Sequence, residues 1–130
     1  MSEILVSVSP GEVIDKITIL RIKAARISDA AKLANVRAEL EILERTWRDS
    51  VYGPHDIRAD EAALQAVNER LWDIEDRIRD KERAKSFDAG FIELARAVYI
   101  ENDERAAIKK RINTALGSKI VEEKSYAAYR

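Results

Sequence analysis

Two short stretches carry the side chains best placed to do chemistry. One is Ser9-Pro10-Gly11-Glu12-Val13-Ile14-Asp15-Lys16, and the other is Glu101-Asn102-Asp103-Glu104-Arg105. The first has the form of a helix start. The Ser9 hydroxyl can accept a bond from a first-turn amide, and Pro10 falls where its missing N–H costs nothing. Glu12 completes a Ser-x-x-Glu capping box. With Gly11 in the first turn, free amides at the positive end of the helix dipole suit a phosphate or carboxylate. Lys16, one turn on, would add a charge. A plainer reading stands beside this one. It is an ordinary capped helix with a Glu12–Lys16 surface pair, worth roughly 0.2–0.5 kcal/mol. Glu12 and Asp15 also oppose an anion there unless they point away.

In the second stretch, Glu101 and Arg105 fall on the apolar seam of their helix. A charge on a buried seam needs a partner, because an unpaired buried charge is very costly. Glu75, Asp76 and Asp15 are the candidate carboxylates. Such a layer can fix helix register, bind a ligand, or mark an unwound or exposed segment. If the two stretches meet, Lys16 and Arg105 would bind an anion. Asp15, Asn102 and Asp103 would orient it, and Tyr126 in the C-terminal tail would cover it. Trp72 and Arg79 could stack, although Trp72 serves equally well as a large core residue.

Composition removes other chemistries. There is no cysteine, hence no disulfide framework or thiolate site, and the one histidine, His55, sits beside Pro54 in a turn-rich loop. No metal or cofactor is expected. Nucleophile motifs, phosphate loops and HExxH are absent. Charged residues make up 36% of the chain, but they sum to a net charge of −1. That balance gives no global pull toward nucleic acid or an acidic membrane. No run approaches ~18 apolar residues, and no basic segment with a long apolar run opens the chain. The expectation is a cytoplasmic protein without membrane insertion.

Helices must position these residues. The 130 residues suffice for one domain, and apolar spacings of three and four predict helices at about 10–27, 30–49, 60–86 and 89–116. Val13, Ile17, Leu20, Ala24 and Ile27 mark the first, widened by Ile14 and Ile22 into a central helix. Leu33, Val36, Leu40, Leu43 and Trp47 mark the second, after a tight turn and new cap at Ser28-Asp29. Tyr52-Gly53-Pro54-His55-Asp56 is the loop between two halves. Asp60 is the expected cap of the third helix, whose seam is Leu64, Val67, Leu71, Ile74 and Ile78. Asp88 caps the fourth, and Gly117 ends it. Glu3 to Val8 alternate in polarity and could form a short strand with Ile120-Val121. The remaining tail is irregular.

Several blocks resemble a small bacterial family, a domain of unknown function. They are the segment Ser9 to Leu20; Lys32-Leu33-Ala34-Asn35-Val36; Leu71-Trp72 through Lys81-Glu82; Phe91 through Tyr99 with Asn102-Asp103; and Glu122-Glu123-Lys124-Ser125-Tyr126. The resemblance spans nearly the whole chain and implies no activity. It does imply an association with glycosyltransferase and surface-polysaccharide functions, and the first block is similar to the helix start of a second such family. A weaker resemblance to the all-helical chorismate mutases rests on Ile14-Asp15, Ile17, Ile19-Leu20 and Arg26. Gly11 stands where those enzymes carry a substrate-binding arginine, and the break at Ser28-Asp29 would cut their long first helix.

The sequence therefore predicts an all-α, four-helix bundle-like domain of two antiparallel hairpins, with an extended N-terminal segment and an irregular tail. The leading functional expectation is a non-enzymatic binding or interaction module with a protein partner. The alternatives are a small enzyme or sensor for a phosphorylated or carboxylated metabolite, and a homodimer through the Trp47 and Trp72 surfaces.

Overall fold

A computed structural model of the chain describes residues 2–129. It holds α1 (Pro10–Arg26), α2 (Ala30–Asp49), α3 (Arg58–Arg83) and α4 (Ala89–Ala115), with no strand among the described residues. Helix α1 is the centre of the bundle. Its Ile14, Asp15, Ile17, Thr18, Leu20 and Ile22 are all buried. These positions spread around most of the helix, so α1 needs neighbours on several sides. It has them, packing against α2, α3 and α4. Helix α2 reaches only α1, while α3 and α4 form the most extensive pair. Asp60–Arg111, Arg70–Glu101 and Lys81–Asp88 ion pairs step in opposite directions along α3 and α4, which makes that hairpin antiparallel.

Ile14, Ile17, Leu64, Val67, Ile108 and Ile112 form the core, with Leu40, Leu43 and Trp47 of α2 packed against it. Burying each of these large side chains contributes about 1.5–3 kcal/mol. No helix among the described residues is long and apolar enough to cross a membrane.

The helix ends follow local chemistry. Ser9 Oγ accepts from the Glu12 amide at 3.2 Å, and Asp29 and Asp88 cap α2 and α4 in the same way. Glu12 does not complete the expected capping box; its carboxylate turns to Lys109 on α4, a full charge and so a stronger partner than an amide. Asp60 is not the cap of α3. The helix starts two residues earlier, Asp56 accepts from the Arg58 amide at 3.1 Å, and Asp60 lies 2.7 Å from Arg111. At the far end α3 stops at Arg83 rather than near residue 86. Lys85 turns to φ 55°, and the Ser86 amide reaches back to the Lys81 carbonyl at 2.9 Å. That is a Schellman turn with lysine in the left-handed position. Gly117, at φ 67°, closes α4 through the matching Ser118-to-Asn113 bond.

The strand at residues 3–8 is not formed. Ile4, Leu5, Val6 and Val8 stand exposed, as do Ile120 and Val121. Alternation alone cannot hold a strand without a ladder partner.

Candidate functional site

The polar layer lies where α1, α3 and α4 meet. Asp15 sits in the second turn of α1, on the side that faces α4, and is 1% exposed. Arg105 of α4 reaches it with both fork positions, Nε to Oδ1 at 2.9 Å and Nη2 to Oδ2 at 2.5 Å. Asn68 of α3 donates to Asp15 Oδ1 at 3.0 Å and to Thr18 Oγ1 at 2.9 Å. The Thr18 hydroxyl in turn donates to the Asp15 carbonyl at 2.8 Å. One turn beyond Arg105, Lys109 Nζ stands 3.8 Å from Asp15 Oδ2, 2.7 Å from Glu12 and 3.1 Å from Glu122 of the tail.

These contacts set the electrostatics. Burial alone would push the Asp15 carboxyl up, but hydrogen bonds from Arg105 and Asn68, with the Arg105 and Lys109 charges, hold it below the ordinary aspartate value. The hydrogen bond to Asp15 outweighs burial at Arg105 and keeps its guanidinium charged. Burial would lower Lys109, yet its bonds to Glu12 and Glu122 raise it above the usual lysine value. The contacts thus favour the charged forms of Asp15, Arg105 and Lys109 alike.

The start of α1 is occupied too. The Gly11 amide donates to Asn113 Oδ1 at 2.7 Å, and the Glu12 amide is taken by Ser9. A Cβ on Gly11 would meet the Lys109 carbonyl at 2.6 Å. Glycine here serves close approach of α4, and the first-turn amides that an anion would use already hold protein acceptors.

The expected site residues divide accordingly. Asp15 and Arg105 come together, and Asp15 is the carboxylate that meets Arg105, not Glu75 or Asp76. Asn102 joins weakly, accepting from Arg105 Nη1 at 3.4 Å while donating to the Val98 carbonyl. Asp103 bonds Lys124 at 2.8 Å outside the layer. Lys16 is exposed and lies 3.9 Å from Glu12, in the surface pair and apart from the Asp15–Arg105 contact. Tyr126 is 82% exposed beneath the Lys124 ammonium and covers nothing in the layer. It is Glu122 that the tail brings to the layer. Arg26, not Arg79, lies over the Trp72 ring, at 5.9 Å. Arg79 pairs with Glu75.

Thr18, Asn68 and Asn113 were not singled out in the sequence, and Lys109 was read only as a cation near the end of its helix. Asn68 follows Leu64 by four and precedes Leu71 by three, so it interrupts the α3 seam as Arg105 interrupts that of α4. Lys109 follows Arg105 by four on one face, a spacing that reads equally well as a cation near the helix C-terminus. Among the described residues no group of three or more His, Cys, Asp or Glu could hold a metal ion.

The model of a family described as "Family of unknown function (DUF6165)" matches residues 4–129. The chain belongs to the DUF6165 family. In this DUF6165 protein the match takes in the exposed N-terminal arm and the tail as well as the four helices. No curated protein and no solved structure matches the chain.

Proposed function

We propose that this DUF6165 chain is a non-enzymatic interaction module of the cytoplasm that works by docking a protein partner. The observation that carries the reading is the closure of the Asp15–Arg105 layer. Both Asp15 oxygens are engaged by Arg105, Asn68 assists, and Asp15 has almost no contact with solvent. A metabolite site would need a cation with free donors facing an open cavity. Asp15, buried and bonded through both oxygens, instead specifies how helices register, while the Arg105 side chain stays 30% exposed. Partner binding is further supported by the arm, where Ile4, Leu5 and Val6 are 88%, 92% and 73% exposed. Neighbouring apolar side chains left in water mark a surface that another molecule covers. The family resemblance suggests that the partner belongs to a surface-polysaccharide or glycosyltransferase system.

A thermal-shift screen against nucleotide sugars, sugar phosphates and small carboxylates tests this reading. A ligand at about 100 times its Kd would add about 2.7 kcal/mol to the stability of the fold. We expect no dose-dependent shift. A saturable shift in wild type that is lost in Lys109→Gln or Arg105→Lys would favour the small enzyme or sensor of an anionic metabolite instead.

A further inference from the structure

The tail gives the chemistry of a partner. After Gly117 the chain reverses and runs back along α4. Glu122 meets Lys109 at 3.1 Å, Lys124 meets Asp103 at 2.8 Å, and the Tyr129 ring stands edge-on to Tyr99 at 4.8 Å. These contacts descend α4 as the tail ascends in number, so the extended segment lies antiparallel to the helix. The last residues of the tail, with Arg70 and residues 98–104, wall an open groove of about 1180 Å³ beside the seat of the tail.

The tail is seated but loosely held. Residues 119–129 are exposed along their whole length, and the bonds that reach α4 come from side chains. The Lys124–Asp103 pair and the Glu122 end of the Lys109 pair are open to solvent, and ion pairs so placed hold weakly and are screened by salt. An occupant that is complementary in charge, extended in form and weakly held is one that a similar segment can replace. Residue by residue, its contacts state what the α4 face accepts: a carboxylate at Lys109, a cation at Asp103 and an aromatic ring at Tyr99.

We propose that the α4 face beneath the tail docks an extended peptide of a partner protein. That peptide carries an acidic residue followed by an aromatic one about seven positions later, and the chain's own tail is a tethered competitor for the same face. This inference rests on the interaction-module reading and names the partner's chemistry. Tethering gives the tail an effective concentration in the millimolar range, so a partner peptide binds when it outmatches the tail or when the tail is weakened. Lys109 is the positioning cation of that face, because Glu12 and Asp15 fix its ammonium from the bundle side.

The test uses the full chain and a fluorescein-labelled peptide copying residues 119–129, followed by fluorescence anisotropy. Glu122→Lys sets the tail against Lys109 without touching the core. The peptide is expected to bind this variant about tenfold or more tighter than wild type. Binding should fall with salt, and a peptide carrying both Glu122→Lys and Glu123→Lys should not bind. Tyr99→Ala, at an exposed position and added to Glu122→Lys so that the tail no longer competes, should weaken binding while circular dichroism stays unchanged. Equal affinity for wild type and Glu122→Lys, or binding indifferent to Tyr99→Ala, overturns the proposal. A concentration-dependent wild-type dimer in sedimentation that Glu122→Lys dissolves overturns it too, in favour of a second copy's tail. If the peptide fails while the metabolite screen stays flat, the docking face is wrong and the module reading stands. A metabolite shift sinks that reading whatever the peptide does.

Discussion

Replacing Arg105 with methionine is the most informative perturbation, because it keeps an unbranched apolar stem and removes the guanidinium. Asp15, 1% exposed, is then left with Asn68 at 3.0 Å and Lys109 at 3.8 Å. Removing one partner from a fully buried pair costs about 3–5 kcal/mol. Two features reduce that figure here: the Arg105 side chain is 30% exposed, and Lys109 supplies part of the lost charge. We expect a loss of about 2–4 kcal/mol at pH 7. Urea unfolding followed by the fluorescence of Trp47 and Trp72 should show it as a midpoint lower by about 1–2 M. The pH dependence is the sharper part. In wild type the Asp15 carboxyl is held below its ordinary value. Its contribution is therefore full above the unfolded value of about 3.9 and is lost as pH falls through the folded value. In Arg105→Met, burial is opposed only by Asn68 and Lys109, so the carboxyl moves up. Protonation then relieves the buried charge, and the gap between variant and wild type narrows from pH 7 to about pH 4. A gap under about 1 kcal/mol, or one that does not change with pH, would refute the reasoning.

Three further substitutions test the joints of the fold. Gly11→Ala should destabilise by about 1–3 kcal/mol, since the added methyl meets the Lys109 carbonyl and the gain in helix propensity does not offset the clash; thermal unfolding reads it. Asn113→Ala leaves the buried Gly11 amide without its acceptor and should cost about 1–3 kcal/mol in the same assay. Lys85→Gly should stabilise by about 1 kcal/mol, because glycine takes the left-handed turn at φ 55° without steric penalty. An unchanged or lower midpoint there would mean that the turn is not strained.

Much of the architecture was legible because helices announce themselves locally. The apolar stripe of α1 with Ile14 and Ile22 beside it required a central helix, and the caps at Ser9, Asp29 and Asp88 marked three of the four starts. That a charge on a seam must find its opposite named Asp15 beside Glu75 and Asp76 as partners for Arg105, and the helix crossing selects Asp15. What the sequence hid depends on distance in the chain. Gly11 looked like an open anion site because its acceptor, Asn113, lies about a hundred positions away on α4. Lys16 and Lys109 were indistinguishable by type, and only the helix crossing decides which reaches Asp15. The exposed arm misled for another reason. A period of two describes a strand only when an edge is there to receive it, and the described residues provide none for Ile4 to Val8.

The central claim is that the Asp15–Arg105 layer is a closed structural pair. It is tested most directly by following the Arg105 Nε–Hε signal in a nitrogen-15 spectrum of the whole chain, assigned by its loss in Arg105→Lys. The claim predicts a slowly exchanging signal that does not move when sugar phosphates, nucleotide sugars or carboxylates are added at millimolar concentration. A signal that exchanges freely with water, or shifts saturably with any of them, would show the pair open to ligand and contradict the account.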